Sequence, residues 1–191
     1  MKKPRLLVKP KPKLIVCLTG LPGSGKSTVV AVAKSLGFEV VVMGDVVRQE
    51  AERRSLELTD ENLGTLMVEM RKEKGMEAVG LLAATKIRRS RAHYLVIDGV
   101  RSEDEVNLFK RFGKVQTLAV HASPATRYRF LRQRARPDAP PSLRLFRERD
   151  KREINIGLSN LENMADEILD NNTDVRSLRV KARALFLRWM K

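Results

Sequence analysis

The chain has 191 residues, a length typical of one globular domain, and its 38 Lys and Arg against 23 Asp and Glu give a net charge of +15. No apolar run approaches the ~20 residues of a membrane-spanning helix, and the basic start lacks the apolar core of a secretory signal. A single cysteine, Cys17, excludes an internal disulfide and a cysteine-based zinc site. We therefore expect a cytoplasmic protein without a membrane segment, in which residues 1–13 form a basic flexible tail and Cys17 is buried.

A glycine-rich segment near the start of the chain is flanked by a strand and a helix. Leu14 to Thr19 is apolar and rich in β-branched residues, which predicts a buried strand, and the Ala and Val residues of 28–34 predict a helix. The segment between them, 20–27, matches the pattern G-x-x-x-x-G-K-[ST]. Strand, glycine-rich turn and helix are the context of a phosphate-binding loop, which a chance match on a surface turn would not supply.

The residue types of this loop suit a nucleoside triphosphate. Glycines let consecutive amide groups converge on phosphate oxygens, and the following helix adds its partial positive charge. Lys26 would reach the β- and γ-phosphates, and the Ser27 hydroxyl would ligate Mg²⁺. We therefore assign triphosphate binding to Gly20, Leu21, Pro22, Gly23, Ser24, Gly25, Lys26, Ser27 and Thr28.

Beyond the loop, strands and helices alternate along the chain. Apolar runs predict strands at 39–43, 94–98, 115–121 and 165–170. Periodicity and capping residues predict helices at 44–54, from 59 to Gly75, at 76–89, at 103–112 after an S-x-x-E capping box, from 124 to Pro137, at 142–152 and at 174–189. The fold class is therefore α/β: one domain, 14–191, with a five-stranded parallel sheet and helices on both faces.

The strand at 94–98 ends in Asp98, which Gly99 follows. An apolar strand that delivers a carboxylate beside a phosphate-binding loop is the Walker B arrangement, in which the acid holds or orients Mg²⁺. An ordinary Asp-Gly turn is the alternative, but the complete loop favours the metal role. The sequence therefore predicts a Mg²⁺ site at Ser27 and Asp98.

Two arginine-rich helices flank the proline-rich break at 137–141. An arginine cluster matches the charge of a triphosphate and of its transition state, so we expect a small helical lid at about 127–152. A nucleic acid is the alternative partner, because the tail, the segment 86–91 and the last helix are basic without a role in phosphoryl transfer.

Several segments together resemble known proteins. They are 20–28, Met43 to Arg48, Ile97 to Arg101, the arginine-rich helix before the break and Ala165 to Asn172. In this order they resemble the nucleoside monophosphate kinase group of P-loop proteins, which includes adenylate kinase and dephospho-CoA kinase. The chain is most similar to an archaeal family of adenylate-kinase-related P-loop proteins.

The resemblance implies further site residues. Arg48 and Arg101 match arginines that meet the acceptor, although the segment around Arg101 is one residue short and lacks a proline. The lid arginines of the group contact both phosphates, and the matching positions here are Arg132, Arg136, Arg149 and Arg152. The acceptor-side helices would be an insert at about 44–91.

Asp45 bears on the kind of acceptor. It stands where dephospho-CoA kinases place an aspartate that accepts a proton from a hydroxyl, and where adenylate kinases also have one that need not be a base. Both acceptor classes stay open. We expect an enzyme that moves the γ-phosphoryl group of ATP-Mg²⁺ to a small nucleotide-like acceptor, with Lys26, Arg132, Arg136 and Asp45 as catalytic residues. The alternative is a nucleic-acid-associated P-loop ATPase.

Overall fold

The computed structural model describes residues 13–134 and 140–191. Within these residues, five strands form one parallel sheet in the order β2-β3-β1-β4-β5. The strands are β1 (Lys13–Thr19), β2 (Glu39–Val42), β3 (Tyr94–Asp98), β4 (Gly113–His121) and β5 (Glu167–Asp170). The predicted α/β fold is confirmed.

Helices connect the strands and cover both faces of the sheet. They are α1 (Lys26–Ser35), α2 (Met43–Arg53), α3 (Asp60–Lys74), α4 (Ala78–Arg89), α5 (Glu103–Phe109), α6 (Pro124–Arg134), α7 (Leu143–Asn155), α8 (Leu158–Asn163) and α9 (Val175–Trp189). All but α8 correspond to predicted helices.

Side-chain caps fix where several of these helices begin. The side chains of Thr59, Ser102, Ser142 and Asp174 each accept a hydrogen bond from the backbone N–H three residues ahead. The predicted capping box at Ser102 is only half formed. The Glu105 carboxylate accepts the Arg101 N–H at 2.8 Å and pairs with Arg71 at 2.8 Å instead of reaching back to Ser102.

The sheet separates two apolar layers. On one face, Ile15 and Cys17 of β1 pack among residues of α2, α3, α4 and α5. On the other face, Leu14 and Val16 pack among residues of α1 and α9. This alternation follows from the two-residue period of a strand. Cys17 is buried as predicted, and burial raises the pKa of its thiol, which keeps it unreactive.

Helix α8 is the element that the sequence did not predict. Its N-cap is Gly157, with φ 110°, and no side chain caps it. A six-residue helix without a capping side chain offers no sequence signal for its start. Strand β5 begins at Glu167 and not at the predicted Ala165, because Asp166 accepts hydrogen bonds from the Thr117 N–H at 2.6 Å and hydroxyl at 2.7 Å.

One residue that the sequence assigned to the basic tail belongs to the sheet. Lys13 is the first residue of β1, and its Nζ donates to the carbonyls of Ile87 at 3.0 Å and Ser90 at 2.5 Å. Residues 1–12 lie outside the described part of the chain. No helix within 13–134 and 140–191 has the length and apolar character needed to cross a membrane.

Adjacent residues of α9 provide a matched test of this packing. Phe186 is fully buried and lies 4.9 Å from Phe38 between ring centroids, whereas Leu187 is 42% exposed. We expect Phe186→Ala to lower the free energy of unfolding by about 3–5 kcal/mol, because it leaves a cavity. Leu187→Ala should change it by less than about 1 kcal/mol. Urea denaturation of both variants checks this, and equal losses would contradict the packing described.

Candidate phosphate-binding site

The phosphate-binding loop joins β1 to α1 at the carboxyl edge of the sheet. Pro22, Gly23 and 25–28 line a cavity of about 610 Å³ above it. Gly20, Leu21 and Ser24 are absent from this lining. Six of the nine residues assigned to triphosphate binding from the sequence therefore line the cavity.

All three glycines of the loop lie too close to other groups for a side chain. A Cβ on Gly20, which has φ 134°, would overlap the carbonyl oxygen of Val120. A Cβ on Gly23, which has φ 84°, would lie 2.6 Å from the carbonyl oxygen of Arg127. A Cβ on Gly25, which has φ 110°, would overlap the side-chain amide of Asn171. Positive φ and close contact both require glycine here, so the loop is held between α6 and the segment after β5.

Asn171 is a site residue that sequence reasoning missed. Its Nδ2 donates to the Ser24 carbonyl at 2.8 Å, and its own N–H donates to the His121 carbonyl at 2.8 Å. The side chain is 2% exposed and lines the cavity. Its Oδ1 and the Ser24 hydroxyl are buried with no hydrogen-bond partner among the described residues. The one available signal was its place in the segment that carried the family resemblance.

Arg127 also supports the loop. Its guanidinium donates to the Pro22 carbonyl at 3.2 Å and makes two bonds to Asp150 of α7, at 2.8 and 2.5 Å. The residue is 2% exposed, and its guanidinium carbon lies 4.9 Å from the ring centroid of Phe146. The sequence placed Arg127 only in a basic helix, because its partner Asp150 is distant along the chain.

Lys26 lies inside the loop. Its Nζ donates to the carbonyls of Gly20 and Leu21, the second at 3.2 Å. Burial lowers the pKa of Lys26, and the nearby Asp98 carboxylate opposes that shift. The lysine therefore borders both the loop carbonyls and the end of β3.

The predicted metal residues share the cavity. Asp98 ends β3, where it pairs in register with Leu18 of β1, and Ser27 is the second residue of α1. Both residues line the cavity. Gly99 donates its N–H to the Leu18 carbonyl at 2.9 Å, which fixes the loop after Asp98 beside the phosphate-binding loop.

Helix α2 also contributes to the wall of the cavity. Asp45 and Arg48 both line the cavity and form an ion pair with each other one turn apart. Their side chains are 52% and 34% exposed, so both are open to the cavity. The structure thus places the two predicted acceptor-side residues in the same cavity as the phosphate-binding loop.

Arg101 lines the cavity, but its guanidinium already donates hydrogen bonds to two other groups. Its Nε and Nη2 donate to Glu153 at 2.5 and 3.3 Å, and its Nη1 donates to the Gly99 carbonyl at 2.8 Å. Burial opposes ionisation of Glu153, but the Arg101 guanidinium outweighs it and lowers the pKa of Glu153 to about 2. The pair ties α7 to the loop that follows Asp98.

The remaining predicted arginines are distributed differently. Arg149 lines the cavity, and its Nε lies 3.4 Å from Asp60 at the start of α3. Arg152 also pairs with Asp60, at 2.6 Å, and lines a separate cavity of about 620 Å³ between α3 and α7. Arg132 is exposed, donates to the Pro141 carbonyl at 3.3 Å and does not line the phosphate cavity. Arg136 lies outside the described residues.

Comparisons with known proteins identify the family of this chain. A family model described as an AAA domain matches residues 19–144. A UPF0200 protein of Hyperthermus butylicus is 43% identical over 176 residues, covering 92% of this chain and 95% of the relative. A UPF0200 protein of Thermococcus gammatolerans is 40% identical, with 90% and 93% covered. The chain belongs to the UPF0200 family.

Solved structures place this UPF0200 member in the P-loop kinase fold. TT1252 from Thermus thermophilus matches with a TM-score of 0.63 at 21% identity, covering 93% of this chain and 98% of that one. Shikimate kinase from Acinetobacter baumannii, in complex with shikimate, matches with a TM-score of 0.58 at 15% identity, with 94% and 95% covered. A gluconokinase from Sinorhizobium meliloti matches with a TM-score of 0.56 at 18% identity, with 93% of each chain covered. The resemblance to P-loop kinases inferred from the sequence is confirmed.

The Arg101–Glu153 pair predicts how stability depends on pH. The pKa of Glu153 falls from 4.5 to about 2 on folding, so its contribution is present above pH 4.5 and is lost as pH falls toward 2. We expect Glu153→Gln to lower the free energy of unfolding by up to about 3 kcal/mol at neutral pH. The difference from the wild type should narrow as the pH falls from about 5 to about 3.

A second glutamate of α7 is the control. Glu148 is 54% exposed and, within the described part of the chain, forms an ion pair with exposed Arg144. Glu148→Gln should change stability by less than about 1 kcal/mol at every pH. Urea denaturation of both variants and the wild type across the pH series measures these differences. A loss of stability in Glu153→Gln that stays constant with pH would contradict the lowered pKa of Glu153.

Proposed function

We propose that this protein transfers the γ-phosphoryl group of ATP to a small nucleotide-like acceptor, such as a nucleoside monophosphate or a dephospho-CoA-like molecule. The observation that carries the proposal is the continuity of one cavity. Lys26 and Ser27 line it from the phosphate-binding loop, and Asp45 and Arg48 line it from α2. Phosphoryl transfer needs a donor and an acceptor in line, and a shared cavity supports that arrangement.

The residues at the donor end fit Mg²⁺ that arrives with the nucleotide. Among the described residues there is no cluster of three or more His, Cys, Asp and Glu side chains that would hold a metal by itself. Ser27 and Asp98 would supply one or two oxygens, while Mg²⁺ commonly takes its other ligands from phosphates and water. The ion would neutralise charge on the β- and γ-phosphates. This set therefore favours a metal shared with the triphosphate.

Positioning and charge neutralisation would supply the catalysis. In the proposed cycle, Lys26 exchanges its bonds to the Gly20 and Leu21 carbonyls for phosphate oxygens. Arg149, which already lines the cavity beside Asp60, neutralises the migrating group. Arg132 and Arg136 stay predictions as catalytic residues. Arg132 would have to leave the Pro141 carbonyl and move into the cavity.

Arg101 and Arg152 already form ion pairs within the protein, which changes the roles proposed for them. With Glu153 and the Gly99 carbonyl bound to it, Arg101 has few donors left, so we propose that it orients the loop after Asp98 and only borders the acceptor. Arg152 is proposed to hold α3 against α7 through Asp60. The acceptor-directed arginine in this account is Arg48.

The insert and the lid are part of the proposal. Helices α2 to α4 would form the acceptor-side insert at about 44–91, and α6 and α7 would form the lid at about 127–152. The C-terminal end of this lid is anchored, because Glu153, which follows it directly, binds Arg101 in the loop after β3. The Arg127–Asp150 pair joins α6 to α7 within the lid, and Phe146 is 2% exposed. Any closure would therefore leave that end of α7 fixed on the sheet.

Loss of the loop lysine should abolish transfer. We expect Lys26→Ala to lower turnover by at least about 10²-fold, because the charge that stabilises the transferring group is removed. Lys181→Ala, at an exposed position on α9, should keep full activity. Consumption of γ-labelled ATP and circular dichroism give the readouts. A folded Lys26→Ala variant with near-normal ATP consumption would overturn the proposal.

A panel of acceptors tests the reaction class. Nucleoside monophosphates, dephospho-CoA and RNA 5′ ends are each offered with γ-labelled ATP. Saturable transfer to one small acceptor, at a rate well above hydrolysis, is the expected result. Hydrolysis without transfer to any of them would instead favour the nucleic-acid-associated ATPase.

Two substitutions on α2 separate the acceptor chemistries. If the acceptor is a hydroxyl, Asp45→Asn should lower kcat by about 10²-fold, because the proton acceptor is lost. If it is a phosphate, the same change should leave kcat within about threefold, since no base is needed.

Arg48→Gln should raise the KM of the acceptor by roughly tenfold or more in either case, through loss of a charge-assisted bond. The matched control is Arg53→Gln, on the same helix, where the side chain is 69% exposed and pairs with Glu50. Equal effects of both changes would argue against an acceptor role for Arg48.

A further inference from the structure

Cationic side chains that the candidate site does not use gather at the opposite edge of the sheet. All strands of a parallel sheet begin at one edge, and the phosphate cavity lies at the other. Helix α4 ends just before β3 begins, and the turn after α5 leads directly into β4. We define the amino-edge face as the six exposed residues Arg88, Arg89, Arg91, Lys110, Arg111 and Lys114.

Strand register brings the two halves of this face together. Tyr94 of β3 and Lys114 of β4 are both paired with Leu14 of β1, on its two sides. Neighbouring strands are about 4.8 Å apart, so the starts of β3 and β4 lie about 10 Å apart across the sheet. The bonds from Lys13 to the Ile87 and Ser90 carbonyls hold the end of α4 against the same edge.

The acidic residue that begins β2 at this edge is already engaged, because Glu39 accepts the Ser90 hydroxyl at 2.7 Å. Glu167 lies farther along the sheet, where it pairs in register with Leu118 of β4, and its carboxylate pairs with Arg188. Among the described residues, none of the six cations of the amino-edge face forms an ion pair. The face therefore carries a local excess of positive charge.

Interactions within the protein explain only some of the six cations. Arg88 and Arg89 lie in the last turn of α4, where the helix dipole favours a cation. Lys110 donates to Asn107 at 2.9 Å, an exposed contact. Neither explanation applies to Arg111, Lys114 or Arg91. A cluster of cations without acidic partners attracts a polyanion.

We propose that the amino-edge face binds the phosphate backbone of a nucleic acid, at the edge opposite the proposed phosphoryl-transfer site. Lys and Arg contacts to phosphates position a nucleic acid without reading its bases, so this binding is independent of sequence. Within 88–91 and 110–114 no large apolar side chain is exposed, which does not suit insertion into a membrane surface. The face thus lies apart from the cavity and does not require the proposed reaction.

Two variants with equal net charge test the proposal. One carries Arg88→Gln, Arg89→Gln and Arg91→Gln. The other carries Arg176→Gln, Arg179→Gln and Arg183→Gln, all exposed positions of α9, which begins beside the phosphate cavity. Because both lose the same charge, any difference between them reports the location of the contacts.

The probe is a fluorescein-labelled oligouridine RNA of about 20 nucleotides, titrated by fluorescence anisotropy at several salt concentrations without ATP. The face variant should bind about tenfold more weakly or worse at ~0.1 M salt. The slope of log Kd against log salt should fall by about 0.7 for each lost phosphate contact. The α9 variant should stay within about twofold of the wild type. Omitting ATP separates this result from that of the transfer assay.

Three outcomes would overturn the proposal. Equal losses in both variants would show attraction by net charge alone. Unchanged affinity in the face variant would place the contacts elsewhere, including residues 1–12. Face-dependent binding to phosphatidylserine vesicles without RNA binding would assign the surface to a membrane. If circular dichroism shows that the first variant is unfolded, Lys110→Gln, Arg111→Gln and Lys114→Gln take its place.

Discussion

The phosphate-binding loop keeps its shape because other segments enclose it at positions that have no side chain. Gly23 lies against the Arg127 carbonyl and Gly25 against the Asn171 amide, while Asn171 also bonds the Ser24 carbonyl. A methyl group at either glycine would push α6 or the β5 loop away. The shape of the phosphate-binding loop therefore depends on its glycines and on contacts from the far end of the chain.

Helix α7 connects the other parts of the site. Successive residues on one of its faces pair with separate elements: Asp150 with Arg127 of α6, Glu153 with the loop after β3, and Arg149 with Asp60 of α3. Buried charges of this kind are costly unless paired, so removal of one partner should disturb several walls of the cavity at once. Ion pairs of α7 thus link α6, α3 and the loop after β3.

The sequence was sufficient for the framework of the fold and for the loop, because both follow local rules of periodicity, capping and glycine spacing. The sequence did not predict the contacts of the arginines, because Arg101, Arg149 and Arg152 pair with acidic residues that are distant along the chain. Asn171 was missed because an Asn-Asn pair after a strand is typical of a turn, and because its partner, the Ser24 carbonyl, is also distant along the chain. Helix α8 starts at a glycine without a capping side chain, a pattern with no local signal.

A crystal structure with Mg²⁺ and a non-hydrolysable ATP analogue would test the central claim, that the loop is the donor end of a phosphotransfer cavity. We expect the β- and γ-phosphates to bind the amide groups of 23–27, and Lys26 to move from the Gly20 carbonyl to a phosphate oxygen. The γ-phosphate should face Asp45 and Arg48 across the cavity. A triphosphate bound elsewhere, or one whose γ-phosphate points away from α2, would contradict the account.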